Sequence, residues 1–139
     1  MDAVLLDTNV FSYVLRPRDT RADLYRRHIQ GKTVAISFVT VGELYYWAER
    51  RRWGPERIAS FEERLHKAAI VPYDLQICKT YAGLKGRLRT TTGSDRPVGD
   101  NDLWIAACAV RHAMPLVTHN RRHFEGIPNL EIITEAPPS

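Results

Sequence analysis

The chain has 139 residues, of which 44% are hydrophobic and 26% are charged, so it is long enough for one globular domain with its own core. Its 20 Lys and Arg residues exceed its 16 Asp and Glu residues, which gives a formal net charge of +4 and a surface suited to a polyanionic partner. No apolar stretch is long enough to span a bilayer, and no signal peptide is recognisable. We therefore expect a cytoplasmic protein without a membrane segment, in which Cys78 and Cys108 are reduced.

Short apolar runs alternate with stretches of helical periodicity along the chain. Strands are predicted at 4–6, 34–39, 69–72, 115–118 and 130–133. Helices are predicted at 19–30, at 40–52, around Ile58 to Leu65, around Ile77 to Leu88 and at 101–112, with a loop at 90–99. This alternation predicts an α/β fold, in which a mostly parallel five-stranded sheet lies between two helical layers. We expect the domain to span residues 1–135 and the tail at 136–139 to be frayed.

Three acidic residues stand where this fold would bring them to one edge of the sheet. Asp7 follows the first strand, Glu43 lies in the helix after the second, and Asp102 opens the helix that precedes the fourth. In open parallel sheets, sites form beyond the carboxyl ends of the strands. Clustered carboxylates are poor core residues and good ligands for Mg²⁺ or Mn²⁺, so the pattern indicates metal-dependent phosphodiester chemistry.

Each acid also has an ordinary structural explanation. Glu43 could close a capping box with Thr40, and Asp7 could hold a turn. Asp100 could cap its helix, and Asp102 could favour the positive end of the helix dipole. None of these roles requires the acids to share one edge of the sheet, whereas a metal site does.

Four motifs follow one another in an order that matches a known family. They are Leu6-Asp7-Thr8-Asn9, Ser37 with Gly42-Glu43-Leu44, Asp102-Leu103-Trp104-Ile105-Ala106-Ala107, and Leu116-Val117-Thr118-His119-Asn120 with His123-Phe124. With these motifs the chain resembles the PIN-domain family, and within it the VapC-type toxic ribonucleases of bacterial toxin–antitoxin pairs. The resemblance covers nearly the whole chain and implies a PIN-like α/β/α fold.

The resemblance also implies roles for individual residues. The family's three core acids match Asp7, Glu43 and Asp102. Asn120 falls where many members have a fourth acid and others have Asn, and His123 stands where Asp commonly precedes the phenylalanine. The fourth ligand is therefore open, and Asp100, beside Asp102 at the helix start, is a second candidate for it.

The activity implied by the resemblance is cleavage of RNA by a water that Mg²⁺ or Mn²⁺ activates. We predict that Thr8 orients Asp7 through a hydrogen bond, and that Arg96, in the loop before the acids, contacts an RNA phosphate. Without a metal the carboxylates repel one another, so at least one should have a raised pKa. The resemblance also implies an antitoxin partner and a homodimer. The sequence leaves open which RNA is cut and how many metal ions bind.

Aromatic residues crowd two adjacent predicted helices. Tyr45, Tyr46, Trp47, Trp53 and Phe61 are more than one buried stripe can hold, so some should be exposed. In the VapC-type family this helical pair helps form the groove that takes the antitoxin peptide, and a groove for an amphipathic helix has this composition. Stacking on RNA bases is the alternative.

Three other functions compete with this interpretation. Cys108-x-x-x-His112 and His119-x-x-x-His123 could form a zinc site in a nucleic-acid-binding module, although Cys108 lies in an apolar helix where packing explains it better. A haloacid-dehalogenase-type phosphatase would need Asp at position 9, which is Asn9. A catalytically silent PIN-like module would lack one of the core acids, and none is missing.

Overall fold

The structure is a computed structural model that describes residues 2–92 and 99–138. The strands in this part of the chain are β1 (Ala3–Leu6), β2 (Thr33–Ser37), β3 (Ala69–Val71), β4 (Leu116–Val117) and β5 (Ile132–Ile133). The helices are α1 (Thr8–Leu15), α2 (Thr20–Ile29), α3 (Phe38–Arg50), α4 (Pro55–Lys67), α5 (Leu75–Thr92), α6 (Asp100–Arg111) and α7 (Arg121–Phe124). No helix within the described ranges is both long enough and apolar enough to cross a membrane.

The sheet has the strand order β3-β2-β1-β4-β5, and every pairing in it is parallel. Leu5 of the central strand β1 is in register with Ala35 of β2 on one side and with Leu116 of β4 on the other. In chain order, β2 and β3 are placed on one side of β1, and β4 and β5 are then placed on the other side. This change of side is a topological switch point, and ligand sites in open α/β sheets form beyond the carboxyl ends of the strands at such points.

Two apolar clusters cover the two faces of the sheet. Val4 and Leu6 of β1 pack with side chains of α1 to α4, whereas Leu5 between them packs with side chains of α5, α6 and α7. Burial on both faces explains why β1 reads as a continuous apolar run. The predicted three-layer α/β/α architecture with a parallel five-stranded sheet is confirmed.

Some predicted boundaries are wrong. Helices α1 and α7 were not predicted, and α3 begins at Phe38 rather than at Thr40, because the Ser37 side chain caps it. Helix α5 continues through Thr92, which removes the first residues of the predicted loop at 90–99. The part of that loop at 93–98 lies outside the described residues.

Candidate active site

The three predicted acids lie beyond the carboxyl edge of the sheet. Asp7 directly follows β1, and Glu43 lies in α3, the helix that follows β2 in the chain. Asp102 lies in the first turn of α6, the helix that precedes β4. Since β2, β1 and β4 are neighbours in the sheet, the segments that follow or precede them meet at this edge. The charges of Asp102 and Glu43 both act on Asp7 and raise its pKa, which places the three carboxylates in one neighbourhood.

Asp7 is buried, with only 3% of the residue exposed. It is the N-cap of α1, since its Oδ1 accepts the N–H of Val10 at 2.8 Å, and its Oδ2 accepts the Thr118 hydroxyl at 2.5 Å. The pKa of Asp7 is raised to about 6, mainly because the carboxyl group is buried. The negative charges of Asp102 and Glu43 raise this pKa further, whereas the two hydrogen bonds lower it. The predicted raised pKa is confirmed, but burial contributes more to it than repulsion between the acids.

Glu43 is held by a chain of two hydroxyl groups. The Thr8 hydroxyl donates to Glu43 Oε1 at 2.6 Å and lies 2.9 Å from the Thr40 hydroxyl oxygen. Because Thr8 gives its one proton to the carboxylate, Thr40 donates to Thr8. The prediction that Thr8 orients Asp7 is therefore wrong: Thr8 positions Glu43, and Thr118 contacts Asp7 instead.

The predicted capping box between Thr40 and Glu43 is also wrong. Ser37 is the N-cap of α3, and its hydroxyl oxygen accepts the backbone N–H groups of Val39 and Thr40 at 3.1 and 3.3 Å. Thr40 is thus already inside the helix, where its amide needs no help from Glu43. The Glu43 carboxylate is free to turn towards the edge of the sheet, where Thr8 meets it.

Asp102 is held by a histidine. Nδ1 of His123, in α7, lies 2.8 Å from Asp102 Oδ2. The Asp102 side chain is 29% exposed, so this acid lies nearer to solvent than Asp7. This partner, His123, is the residue that stands where the resemblance led us to expect an Asp before the phenylalanine.

Asp100 is directed to a different helix. Its Oδ1 accepts the Tyr81 hydroxyl at 2.9 Å and the Lys85 ammonium at 3.3 Å, both from α5, and its side chain is 67% exposed. These hydrogen bonds, from Tyr81 first and then Lys85, lower the pKa of Asp100. Asp100 is the first residue of α6 and not its cap, which is Gly99. Both donors contact Oδ1, so Asp100 joins α6 to α5, and its role as a fourth metal ligand stays a prediction.

Asn120 lies beside the site at the start of α7. Its backbone N–H donates to the Thr118 hydroxyl oxygen at 3.0 Å, while the Thr118 proton goes to Asp7. Thr118 therefore ties the end of β4 to Asp7, a role that the sequence analysis did not assign. A hydroxyl residue at the last position of a predicted strand, next to the acids, was the available signal. Arg96, the predicted phosphate contact, lies outside the described residues.

The donor set of this site suits a hard divalent cation. Asp7, Glu43 and Asp102 offer only carboxylate oxygens, and both neighbouring charges on Asp7 are negative, so a cation would relieve their repulsion. Over residues 2–92 and 99–138, no three Asp, Glu, His or Cys side chains form a ready-made cage for one ion. Mg²⁺ needs no such cage, since it keeps several waters and binds through one or two carboxylates.

The zinc site that the sequence allowed is wrong. Cys108 is buried in the middle of α6, and burial, with a smaller effect of the Asp74 charge, raises the pKa of its thiol to about 12. His119 is 2.6 Å from the Tyr25 hydroxyl and His123 is paired with Asp102, so the two histidines have separate partners. Within the described residues the four side chains form no metal-binding group.

A groove lies between α1, α3 and α4, apart from the acids. Its walls include Leu44, Trp47, Trp53 and Phe61. Phe61 is buried at 3% exposure, whereas Tyr45 and Tyr46 are exposed, so the prediction that part of the aromatic cluster is solvent-accessible is confirmed.

Comparisons with known proteins agree with this architecture. A sequence model of the PIN domain matches residues 4–130. Ribonuclease VapC2 from Haemophilus influenzae is 32% identical over 123 residues, which cover 88% of this chain and 90% of the relative.

Two solved structures share the fold over almost the whole chain. The DNA-bound VapBC of Salmonella typhimurium superposes with a TM-score of 0.82 at 26% identity and covers 96% of this chain and 98% of its own. VapBC-5 from Mycobacterium tuberculosis, a member of the VapBC family of toxin–antitoxin systems, superposes with a TM-score of 0.69 at 27% identity and covers 96% and 99%.

Proposed function

Since this chain belongs to the PIN-domain family, we propose that it is a divalent-metal-dependent endoribonuclease that acts as the toxin of a toxin–antitoxin pair. The observation that carries the proposal is the meeting of Asp7, Glu43 and Asp102 at the switch point of a parallel sheet. An enzyme that cuts a phosphodiester must handle negative charge on the substrate, and its site would repel RNA if these carboxylates carried no cation.

We assign the cation to Asp7, Glu43 and Asp102, and Mg²⁺ or Mn²⁺ fits their oxygens best. When bound, such an ion supplies a nucleophilic water at neutral pH and offsets the charge that builds up on the phosphate. The protein's own contribution is orientation. Thr118 fixes Asp7, and Thr8 fixes Glu43, so that the carboxylates are in place before the ion and the substrate arrive.

Asp7 and Glu43 are also the groups able to accept a proton from the attacking water. The pKa of about 6 describes Asp7 without a bound cation, and a cation held by its carboxylate would lower that pKa. The net charge of +4 includes these acids, so the remainder of the surface is more basic than that figure and attracts RNA. Arg96 stays our candidate for a phosphate contact.

The partner we propose is an antitoxin that lies in the groove between α1, α3 and α4. Support comes from the exposed aromatic side chain Tyr45, whose ring centre lies 5.0 Å from that of Phe61 in the groove wall, and from the VapBC structures of similar fold. The homodimer and the cytoplasmic location remain predictions. Light scattering on the purified chain tests the first, and fractionation of cells that express it tests the second.

The experiment that tests the proposed function is cleavage of total RNA with mapped 5′ ends. Mn²⁺ or Mg²⁺ should support cleavage, and EDTA should abolish it. Asp7→Asn and Asp102→Asn should each remove the activity while circular dichroism shows an intact fold. The matched control is Asp23→Asn on α2, an exposed carboxylate paired with Arg26. Wild-type cleavage by both site variants in excess Mn²⁺ would refute the proposal.

A further inference from the structure

The hydrogen bond between His123 and Asp102 has a defined direction. Nδ1 of His123 lies 2.8 Å from Asp102 Oδ2. An ionised carboxylate only accepts hydrogen bonds, so the proton is on Nδ1, and this holds for the neutral ring and for the cation alike. The bond occupies Oδ2 of Asp102 and leaves Oδ1 available.

His123 is attached to a short but well-anchored helix. Its backbone N–H donates to the Asn120 carbonyl at 3.0 Å, and the next residue, Phe124, is fully buried in the core. The imidazole itself is 58% exposed, so it contributes little to the core. Within the described residues, the polar contact of the imidazole is the bond to Asp102.

We propose that His123 is a positioning residue that holds the Asp102 carboxylate in the orientation required for the divalent cation. The inference rests on the proposed function, in which Asp102 is a ligand. Asp102 is partly exposed, and in the absence of His123 its carboxylate would rotate between solvent and the site. Ligating carboxylates are commonly held by an outer hydrogen bond, and loss of such a bond costs about 10- to 100-fold in metal affinity or activity.

The other two acids are held in the same manner, which supports this assignment. Asp7 accepts from Thr118, and Glu43 accepts from Thr8. Each of the three carboxylates thus has one side-chain donor supplied by another segment of the chain. A set of this kind is expected where the acids must converge on one ion despite their mutual repulsion.

The test measures Mn²⁺ binding to the full chain without RNA, by electron paramagnetic resonance and calorimetry. His123→Ala should weaken Mn²⁺ binding about 10- to 100-fold. His123→Asn keeps an N–H donor near the position of Nδ1 and should restore most of the affinity. The matched control is His112→Ala, an exposed histidine at the other end of α6, about 15 Å along the helix from Asp102. Cleavage by His123→Ala should recover as Mn²⁺ is raised, because the defect lies in metal affinity.

Wild-type Mn²⁺ affinity in His123→Ala, or equal losses in the Ala and Asn variants, would overturn the inference. A further test needs no mutation: ¹⁵N spectra of the imidazole should show the proton on Nδ1. A ring protonated only at Nε2 would overturn the inference even if His123→Ala fails to fold.

The proposed function and the inference about His123 fail under different results. If wild-type protein binds Mn²⁺ and Asp102→Asn abolishes cleavage while His123→Ala is normal, only the inference fails. If wild-type protein neither binds Mn²⁺ nor cuts RNA, the proposed function fails.

Discussion

The Thr8 hydroxyl donates to Glu43 Oε1 at 2.6 Å and so joins the first residue of α1 to the second turn of α3. Asp7, one residue earlier, faces Thr118 at the end of β4. The adjacent residues Asp7 and Thr8 therefore contact different parts of the chain: Thr8 contacts the helix that follows β2, and Asp7 contacts the residue that follows β4. This arrangement makes the β1–α1 junction the centre of the site.

Replacement of Thr8 tests whether this hydroxyl matters for the chemistry. Thr8→Val keeps the side-chain shape but removes the donor to Glu43, so cleavage at saturating Mn²⁺ should fall about 10- to 100-fold. Thr8→Ser keeps the hydroxyl and should retain most of the activity. Initial rates on a single RNA substrate are the measurement. Equal losses in both variants would show that packing, not the hydrogen bond, is what the site needs.

The raised pKa of Asp7 predicts how stability depends on pH. Its pKa is about 6 in the folded chain, mainly because the residue is buried, whereas an unperturbed Asp side chain has a pKa of 3.8. Between these values the folded state binds more protons than the unfolded state, so stability falls as pH rises from about 4 to about 6. The difference between these two pKa values corresponds to roughly 2–3 kcal/mol of unfolding free energy, which is lost by neutral pH.

Asp7→Asn removes this titration. The stability of the variant relative to wild type should therefore increase by roughly 2 kcal/mol between pH 4.5 and pH 7.5. Urea unfolding in EDTA measures both proteins without bound metal. Asp23→Asn, at an exposed position on α2, is the control for loss of a carboxylate. Parallel pH profiles for wild type and Asp7→Asn would contradict the prediction.

Tyr25 carries a buried hydroxyl that ties together three parts of the chain. It lies 2.6 Å from Nδ1 of His119 and 3.3 Å from the Thr118 carbonyl oxygen, and it accepts the N–H of Glu135 at 3.0 Å. Tyr25→Phe would leave these buried and partly buried polar groups without their partner, so we expect a loss of about 1–3 kcal/mol in the free energy of unfolding. Tyr73→Phe, at a residue that is 59% exposed, should be close to neutral. Equal unfolding free energies for wild type and Tyr25→Phe would contradict this role.

Local sequence signals were enough to predict the strands and the positions of the acids. Each strand is a short apolar run, and Asp7 interrupts the first of them abruptly. Helix α1 was missed because β-branched and aromatic residues such as Val10, Phe11 and Tyr13 have low helix propensity, and they continue the apolar run of β1. Asp7 consequently looked like a turn residue rather than a helix cap.

The hydrogen-bond partners of the acids were the part that the sequence could not supply. Thr8 and Glu43 are 35 residues apart, and Thr118 and Asp7 are 111 apart. Such pairs depend on the order of the strands and on the rotation of each helix about its axis. The sequence therefore predicted which acids converge, whereas only the structure showed that Thr8 donates a hydrogen bond to Glu43 and that Thr118 donates one to Asp7.

The groove between α1, α3 and α4 offers two guanidinium groups as well as apolar walls. Trp53 lines it, and its Nε1 is buried with no hydrogen-bond partner among the described residues. The Arg57 guanidinium lies 4.1 Å from the centre of the Trp53 ring, and Arg16 is also part of the lining. An antitoxin segment with apolar side chains and a carbonyl or carboxylate oxygen would match this combination.

Binding of the antitoxin should therefore depend on the two tryptophans more than RNA cleavage does. Trp47→Ala removes a wall of the groove and should weaken antitoxin affinity by about 2 kcal/mol or more, roughly 30-fold. Trp53→Ala removes a second wall of the groove and should weaken antitoxin affinity by a similar amount. Tyr73→Ala, an exposed aromatic residue after β3, serves as the control. Antitoxin affinity and cleavage rate are measured side by side on folded variants. Full antitoxin affinity with lost cleavage would place the aromatic residues at the RNA instead.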